Sequence, residues 1–124
     1  MVQKKILIIE DDQSLVKLIR GALELNKFLV EVASEAQEGC SRALLGQPDL
    51  IILDILLPTE DGFACLRYLK DHPQTKNIPV IILSNLGQDQ ELRKGLELGA
   101  VVYLVKADVG IDEIITKIAK YLNP

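Results

Sequence analysis

Five short apolar runs recur along the chain, and they begin near residues 5, 28, 50, 79 and 101. Each run is rich in β-branched and aliphatic residues, which favour β-strands. The first, third and fourth runs are apolar at successive positions, as is typical of strands covered by helices on both faces. The second run includes Glu31, which suits a strand at the edge of a sheet. The spacing therefore predicts five strands, each about one strand-plus-helix unit from the next.

Between these runs, the apolar residues adopt helical spacing. Helices are predicted over about residues 14–25, from the capping residue Ser34 onward, and over about 62–71 and 89–98. Gly99 occupies the left-handed position that often ends a helix. A fifth helix is predicted from a wide apolar stripe, which is formed by Ile111, Ile114, Ile115, Ile118, Ala119 and Leu122.

The strict alternation of strand and helix predicts an α/β fold of three layers. This is a doubly wound (βα)5 arrangement, in which a parallel five-stranded sheet lies between two layers of helices. A length of 124 residues suits one domain with one core. The chain shows neither a linker nor a low-complexity segment, so residues 1–124 are expected to form a single domain.

Charge and composition exclude several classes of protein. The net charge is −4 and the basic residues are scattered, so no surface for nucleic acid is predicted. No apolar run approaches the roughly 20 residues that span a bilayer, and the N-terminus lacks the long apolar stretch of a signal peptide. Cys40 and Cys65 lie in helical patterns and are expected to be small buried side chains rather than a disulfide. A cytoplasmic protein is therefore expected.

Polar side chains that can do chemistry follow four of the apolar runs. Because the carboxyl ends of parallel strands lie at one edge of a sheet, these side chains should meet there. A carboxylate that attacks phosphorus forms an acyl phosphate, and a hard cation such as Mg²⁺ offsets the repulsion between the two anions. The side chains are Glu10, Asp11 and Asp12 after the first run, Asp54 after the third, Ser84 after the fourth and Lys106 after the fifth.

Several short motifs, each at a predicted strand end, together resemble the receiver domain of two-component response regulators, the CheY-like family. The motifs are residues 9–12, 54–62, Ser84, 99–100 and 103–106. The resemblance covers essentially the whole chain. It implies a flavodoxin-like fold with the strand order 2-1-3-4-5, in one receiver domain with no output domain.

The resemblance also assigns roles to the acidic residues. Asp54 would be the phosphoacceptor, and Asp11 and Asp54 would bind Mg²⁺ directly. Glu10 would hold the metal through water, and the backbone carbonyl of Leu56 would be a further ligand. Asp12 lies one position beyond the acid pair of the family, and we expect it to cap the first helix.

Four further residues would bind the phosphoryl group, respond to it or control access to it. Lys106 would pair with one phosphoryl oxygen as a compact charge, and Ser84 would donate a hydrogen bond to another. Tyr103 would rotate inward when Ser84 moves, so that phosphate biases a two-state element. Asn85 stands where the family usually has a small residue, and it would narrow the entrance or add a hydrogen bond.

Ala107 is a departure from the family pattern, because Pro in a cis peptide is usual after the lysine. A cis bond before a residue other than proline costs about 3 kcal/mol. The bond between Lys106 and Ala107 is therefore expected to be trans, or to be a strained cis bond that its surroundings hold.

The resemblance implies a phosphoacceptor that is phosphorylated by a sensor histidine kinase or a phosphotransfer protein. It would promote only its own phosphorylation and dephosphorylation, so it is not expected to be an enzyme in the usual sense. The face of the fourth helix, fifth strand and fifth helix would bind a downstream effector or a second copy. Direct binding to nucleic acid or to a membrane is not expected.

Two alternative functions belong to other classes. A pseudo-receiver would use the fold as a constitutive protein-interaction module, but the complete set of acids, Ser84 and Lys106 argues against it. A flavodoxin shares the strand order but needs a phosphate-binding loop rich in Ser, Thr or Gly after the first strand. This chain has three acids there, which would repel a phosphate monoester. Labelling with beryllofluoride and Mg²⁺ would distinguish a phosphoacceptor from a pseudo-receiver. Flavin absorbance would distinguish it from a flavodoxin.

Leu56 and Leu86 lie two residues after Asp54 and Ser84, where the family's side chains flank the path of the hydrolytic water. Two leucines would exclude water and offer it no hydrogen bond, so the acyl phosphate should hydrolyse slowly. Polar replacements at Leu56 and Leu86 are therefore expected to shorten its lifetime, measured as the loss of label from the phosphorylated protein. Unchanged or slower loss would contradict this explanation.

Overall fold

The structure is a computed structural model that describes residues 3–57 and 61–122. Pro58, Thr59 and Glu60, which belong to the motif after the third strand, lie outside the described residues. Strands and helices alternate strictly through the part that is described. Their bounds are β1 Lys5–Ile9, α1 Gln13–Leu25, β2 Leu29–Ala33, α2 Ala36–Gly46, β3 Leu50–Leu53, α3 Gly62–Asp71, β4 Val80–Ser84, α4 Asp89–Glu97, β5 Val102–Val105 and α5 Ile111–Leu122.

The five strands form one parallel sheet in the order β2-β1-β3-β4-β5. This confirms the predicted doubly wound fold and its strand order. The register aligns Ile9 of β1 with Leu53 of β3, and Ser84 of β4 with Val105 of β5. The residues that follow these positions therefore emerge at the same edge of the sheet.

The two faces of the sheet bury two separate apolar clusters. Leu7 and Ile9 of β1 pack in the cluster that includes α2 and α3, whereas Ile6 and Ile8 pack in the cluster under α1 and α5. All four side chains are at most 1% exposed, so each contributes roughly 1.5–3 kcal/mol by burial. Burial on both faces explains why these strands lack polar alternation.

The edges of the sheet also follow the sequence pattern. β2 forms one edge, as its internal charge predicted, and Glu31 lies there in ion pairs with Lys5 and Arg42. At the other edge, α4 approaches the sheet through Gly95, where an added Cβ would lie 2.6 Å from Ile82 Cδ1. None of the helices in the described ranges has the length and hydropathy that crossing a bilayer requires.

The helix ends correct one prediction and confirm two others. The expected cap at Ser34 is wrong, because α2 begins at Ala36 after Glu35. None of the described side chains caps the N–H groups of the first turn, and the backbone N–H of Ser34, before the helix, donates to the carboxylate of Glu38 at 3.3 Å. Asp12 caps α1 by accepting from two backbone N–H groups, and Gly99 has a φ of +114°.

The two cysteines also differ from the expectation of separate thiols. The sulfur atoms of Cys40 on α2 and Cys65 on α3 are in disulfide contact, and their Cα atoms are 6.3 Å apart. Helical spacing places each residue on the inner face of its own helix, but the pattern does not show that these two faces meet. The packing of α2 against α3 creates the pair.

The first residue of α3, Gly62, lies close to the backbone that follows β3, and a substitution there tests how much stability depends on this approach. An added Cβ there would lie 2.3 Å from the Cα of Ile55 and 2.8 Å from the carbonyl oxygen of Asp54. Gly62→Ala should therefore lower the free energy of unfolding by about 1–3 kcal/mol, measured by urea denaturation.

Gly21 is the matched control, because it lies within α1 and an added Cβ would meet no atom within 4 Å. Gly21→Ala should raise the free energy of unfolding by about 0.5–1 kcal/mol, since alanine loses less backbone freedom on folding. Equal effects of the two substitutions would show that α3 does not depend on this close approach.

Candidate functional site

The lysine after β5 bridges two buried carboxylates at the carboxyl edge of the sheet. Lys106 Nζ lies 2.7 Å from Glu10 Oε1 and 2.9 Å from Asp54 Oδ2. Glu10 and Asp54 are each only 3% exposed, and the lysine side chain is 16% exposed. Three residues that are far apart in sequence therefore form one charge cluster, as the strand ends predicted.

Glu10 is held on both of its oxygens. The oxygen that does not face Lys106 accepts backbone hydrogen bonds from Asp11 at 3.0 Å and Asp12 at 3.1 Å. Burial raises the pKa of Glu10 to about 7 despite these hydrogen bonds and Lys106. The cause is the cost of charging a carboxylate away from water. Hydrogen bonds therefore fix the position of this acid, and its charge changes near neutral pH.

Asp54 closes β3 and continues its hydrogen bonding, since its backbone N–H donates to the carbonyl of Ile9 at 3.0 Å. One carboxylate oxygen accepts from the backbone N–H of Leu56 at 2.9 Å, and the other accepts from Lys106. The carboxylate is therefore oriented on both sides. It is the buried acid that the sequence selected as phosphoacceptor.

Lys106 experiences two opposed effects. Burial alone would lower the pKa of its ammonium group, but the hydrogen bonds to Glu10 and Asp54 raise it above its ordinary value. The lysine stays charged at neutral pH because it neutralises two carboxylates that would otherwise repel each other. The cluster thus contains a fixed cation beside a carboxylate that could accept an anionic group.

The acids also suit a divalent cation. One carboxylate oxygen from each of Glu10, Asp11 and Asp54 lies within 4.8 Å of the others. Asp11 is exposed while the other two are buried, so the group opens to solvent on one side. Hard oxygen donors that carry negative charge are the ligands that Mg²⁺ prefers, and the donor set therefore fits this metal. Asp12 takes no part, because it caps α1.

A second group lies at the ends of β4 and β5, next to the charge cluster. Ser84 is fully buried and its Oγ accepts from the backbone N–H of Leu86 at 3.3 Å. The hydroxyl of Tyr103 donates to the carbonyl oxygen of Leu86 at 2.5 Å. Burial raises the pKa of Tyr103, and a hydrogen bond with Ser84 opposes this shift. The tyrosine and the serine therefore both bond to the backbone of Leu86.

The turn after β5 accommodates alanine without a cis bond. Within the described ranges no peptide bond is cis, so the bond between Lys106 and Ala107 is trans, the first of the two predicted alternatives. Lys106 begins a single turn of 3₁₀ helix that ends at Asp108. A trans bond avoids the cost of a cis bond and still directs the ammonium group into the acidic cluster.

Three predicted residues lie at the rim of the site. Leu56 is 52% exposed, Leu86 is partly buried and Asn85 is exposed. Leu86 packs against the apolar cluster that includes α2 and α3, whereas Leu56 and Asn85 extend into solvent. Their roles in water access and gating stay predictions.

Glu91 is a residue that the sequence did not single out. It lies in the first turn of α4, and its Oε2 atom is buried with no hydrogen-bond partner among the described residues. Its negative charge contributes to the raised pKa of Tyr103. Acids are common in the first turn of a helix, so the sequence offers no signal that this one faces the tyrosine.

Comparison with known proteins agrees with the geometry. Residues 6–119 match the family of response regulator receiver domains. The chain is 36% identical over 119 residues to the DNA-binding dual master transcriptional regulator RpaA of Synechocystis, covering 96% of this chain and 49% of RpaA. The chain thus spans about half the length of that relative.

Solved structures show the same fold. A putative response regulator from Chloroflexus aurantiacus superimposes with a TM-score of 0.91 at 27% identity, over 99% of this chain and 100% of the other. The Vibrio cholerae chemotaxis protein CheY4 superimposes with a TM-score of 0.89 over 98% and 100% of the two chains. Its sequence identity is 23%, so this second likeness concerns the fold alone.

The bridging lysine can be tested through stability. Lys106→Met should lower the free energy of unfolding by up to about 3 kcal/mol, because Asp54 loses its buried counter-charge and Glu10, whose pKa is already about 7, must take up a proton. Urea denaturation at neutral pH without divalent cations measures the loss. Lys17→Met, at an exposed position of α1, changes the net charge equally and should have little effect. A similar loss in both variants would show that net charge, rather than the bridge, determines stability.

Proposed function

The chain belongs to the family of response regulator receiver domains, and on this basis we propose that Asp54 accepts a phosphoryl group. The donor would be the phosphohistidine of a sensor histidine kinase or of a phosphotransfer protein. The observation that carries the proposal is the Asp54 carboxylate, which is buried at the end of the central strand and oriented by Lys106 and Leu56. The acids beside it fit a divalent cation.

In the proposed reaction, a carboxylate oxygen of Asp54 attacks the phosphorus atom. The bond from phosphorus to the donor nitrogen breaks, and the histidine leaves as the product acyl phosphate forms. Lys106 then holds a phosphoryl oxygen, because its ammonium already lies 2.9 Å from the carboxylate. When bound, Mg²⁺ supplies the charge that offsets repulsion between the carboxylate and the phosphoryl group. Asp11, Asp54 and the Leu56 carbonyl would bind it, with Glu10 acting through water.

The switch that we propose begins at Ser84. Its hydroxyl would turn from its local contact at Leu86 and donate to a phosphoryl oxygen. Tyr103 donates to the carbonyl oxygen of the same Leu86, so a change at the serine would alter the environment of the tyrosine. Asn85, next to the serine, would control access to the phosphoryl group. The readout would lie on the face formed by α4, β5 and α5.

Several broader properties follow from the same proposal. Residues 1–124 would act as one receiver domain that promotes its own phosphorylation and dephosphorylation and turns over no external substrate. The partners would be a kinase or phosphotransfer protein on one side, and an effector protein or a second copy on the other. The net charge of −4 supports action through proteins rather than direct contact with nucleic acid. The cytoplasm, where sensor kinases present their phosphohistidine, is the proposed location.

Phosphorylation of Asp54 can be tested with radiolabelled acetyl phosphate and Mg²⁺. We expect the wild-type protein to incorporate label. Incorporation into Asp54→Asn should be at least about tenfold lower, because an amide is not a nucleophile for phosphorus. Scintillation counting after gel separation measures incorporation. Asp112→Asn, which alters an exposed acid in the first turn of α5, is the matched control and should keep full labelling.

Two outcomes would contradict the proposal. Label that persists in Asp54→Asn would place the acceptor elsewhere. Wild-type protein that takes up no label, and whose partner binding is unchanged by beryllofluoride and Mg²⁺, would favour the constitutive interaction module instead.

A further inference from the structure

Helices α2 and α3 are joined by a pair of cysteines that has no part in the acidic site. Cys40 and Cys65 are 25 residues apart in sequence, yet their sulfur atoms are in contact and their Cα atoms are 6.3 Å apart. This Cα separation lies within the range that disulfides require. We propose that the two residues are a reversible dithiol–disulfide pair, a site of oxidation by small disulfides such as glutathione disulfide.

Both oxidation states fit the same backbone. The Sγ of Cys65 lies 3.7 Å from the carbonyl oxygen of Ala36, and the Sγ of Cys40 lies 3.8 Å from the carbonyl oxygen of Cys65. In the dithiol state, each S–H can therefore donate a weak hydrogen bond to a carbonyl. In the disulfide state, the sulfur atoms are already adjacent. Oxidation and reduction can thus occur without a rearrangement of the two helices.

Access to the pair is unequal, which gives each cysteine a different role. An open groove of about 500 Å³ runs between α2 and α3, and its lining includes Cys40, Ser41, Leu44, Cys65 and Tyr68. Cys40 is partly buried, whereas Cys65 is only 4% exposed. Cys40 is therefore the thiol that an oxidant in the groove can reach, and Cys65 is the thiol that completes the reaction.

The proposed reaction is a thiol–disulfide exchange in two steps. The thiolate of Cys40 attacks one sulfur of glutathione disulfide, and one glutathione leaves as a thiolate that takes up a proton. The thiolate of Cys65 then attacks the sulfur of Cys40 in the mixed disulfide, and the second glutathione leaves. In sum, the protein dithiol and one glutathione disulfide yield a protein disulfide and two molecules of reduced glutathione.

The bond would restrain the helix that begins next to the phosphoacceptor. The first residue of α3, Gly62, donates its backbone N–H to Ile55 at 3.1 Å and packs against the backbone of Asp54. A covalent link from α3 to α2 closes a long loop in the unfolded chain and so stabilises the folded state. It would also oppose local opening of α3.

The test uses the wild-type protein in buffers of defined ratios of reduced and oxidised glutathione. Intact mass should fall by two hydrogen atoms as the oxidised form is favoured, and peptide mapping should recover Cys40 linked to Cys65. Addition of excess reduced glutathione should restore the dithiol. The oxidised form should unfold at a temperature higher by on the order of 10 °C, a comparison that needs no variant.

Two single variants test the assigned roles. Cys65→Ser should accumulate a stable glutathione adduct on Cys40, because the thiol that resolves the mixed disulfide is absent. Cys40→Ser should react at least about tenfold more slowly than Cys65→Ser, because the remaining thiol is buried. Adducts that form equally fast on both single variants would overturn the assignment of Cys40 as the accessible thiol.

A matched control keeps two thiols but misplaces one of them. In the double variant Cys40→Ser with Ser41→Cys, the thiol moves about 100° around α2 to an exposed position. It should form mixed disulfides without an internal bond. Wild-type protein that stays reduced, or that accumulates two glutathione adducts, would overturn the proposal, as would equal internal bonding in the control. None of these results depends on phosphorylation of Asp54.

Discussion

A single ammonium group between two buried carboxylates is the interaction on which the site depends. Glu10 and Asp54 would repel each other at the end of the sheet if Lys106 did not lie within 3 Å of both. Removing such charges from water is costly, and only close pairing with further hydrogen bonds compensates for it. Here the backbone of the turn after β1 supplies those bonds to Glu10. The local chain path and the long-range ion pairs therefore support each other.

The strand order determines what this cluster can influence. β1 and β3 are neighbours and contribute the acids, whereas β4 and β5 lie on the same side of β3 and contribute Ser84 and Lys106. Tyr103 lies on β5, the edge strand next to α4, and in the switch that we propose a change at Asp54 would reach that edge through it. Glu91, whose buried oxygen has no hydrogen-bond partner in the described part of the chain, lies on the same helix.

The cysteine pair lies on the face of the sheet that α2 and α3 cover, away from the acidic cluster at the carboxyl edge. α2 and α3 pack over Leu7, Ile9 and their neighbours, and the cysteine pair lies between the two helices. Because α3 begins where the chain leaves Asp54, the two sites are joined through one short segment. The proposed disulfide would act on α3 by restricting the unfolded chain. The proposed phosphoryl group would act on the start of the same helix through its negative charge.

The sequence by itself determined the elements, the strand order implied by the resemblance, and the residues at the strand ends. Apolar periodicity reports which side of each element is buried, and parallel strands bring their ends together. Only the tertiary structure decided which ends touch, that the bond before Ala107 is trans, and that Cys40 meets Cys65. It also decided that Ser34 does not cap α2, whose first residue is Ala36. These features depend on distances between segments that are remote in sequence, or on the local geometry of the backbone. The periodicity of apolar residues contains neither kind of information.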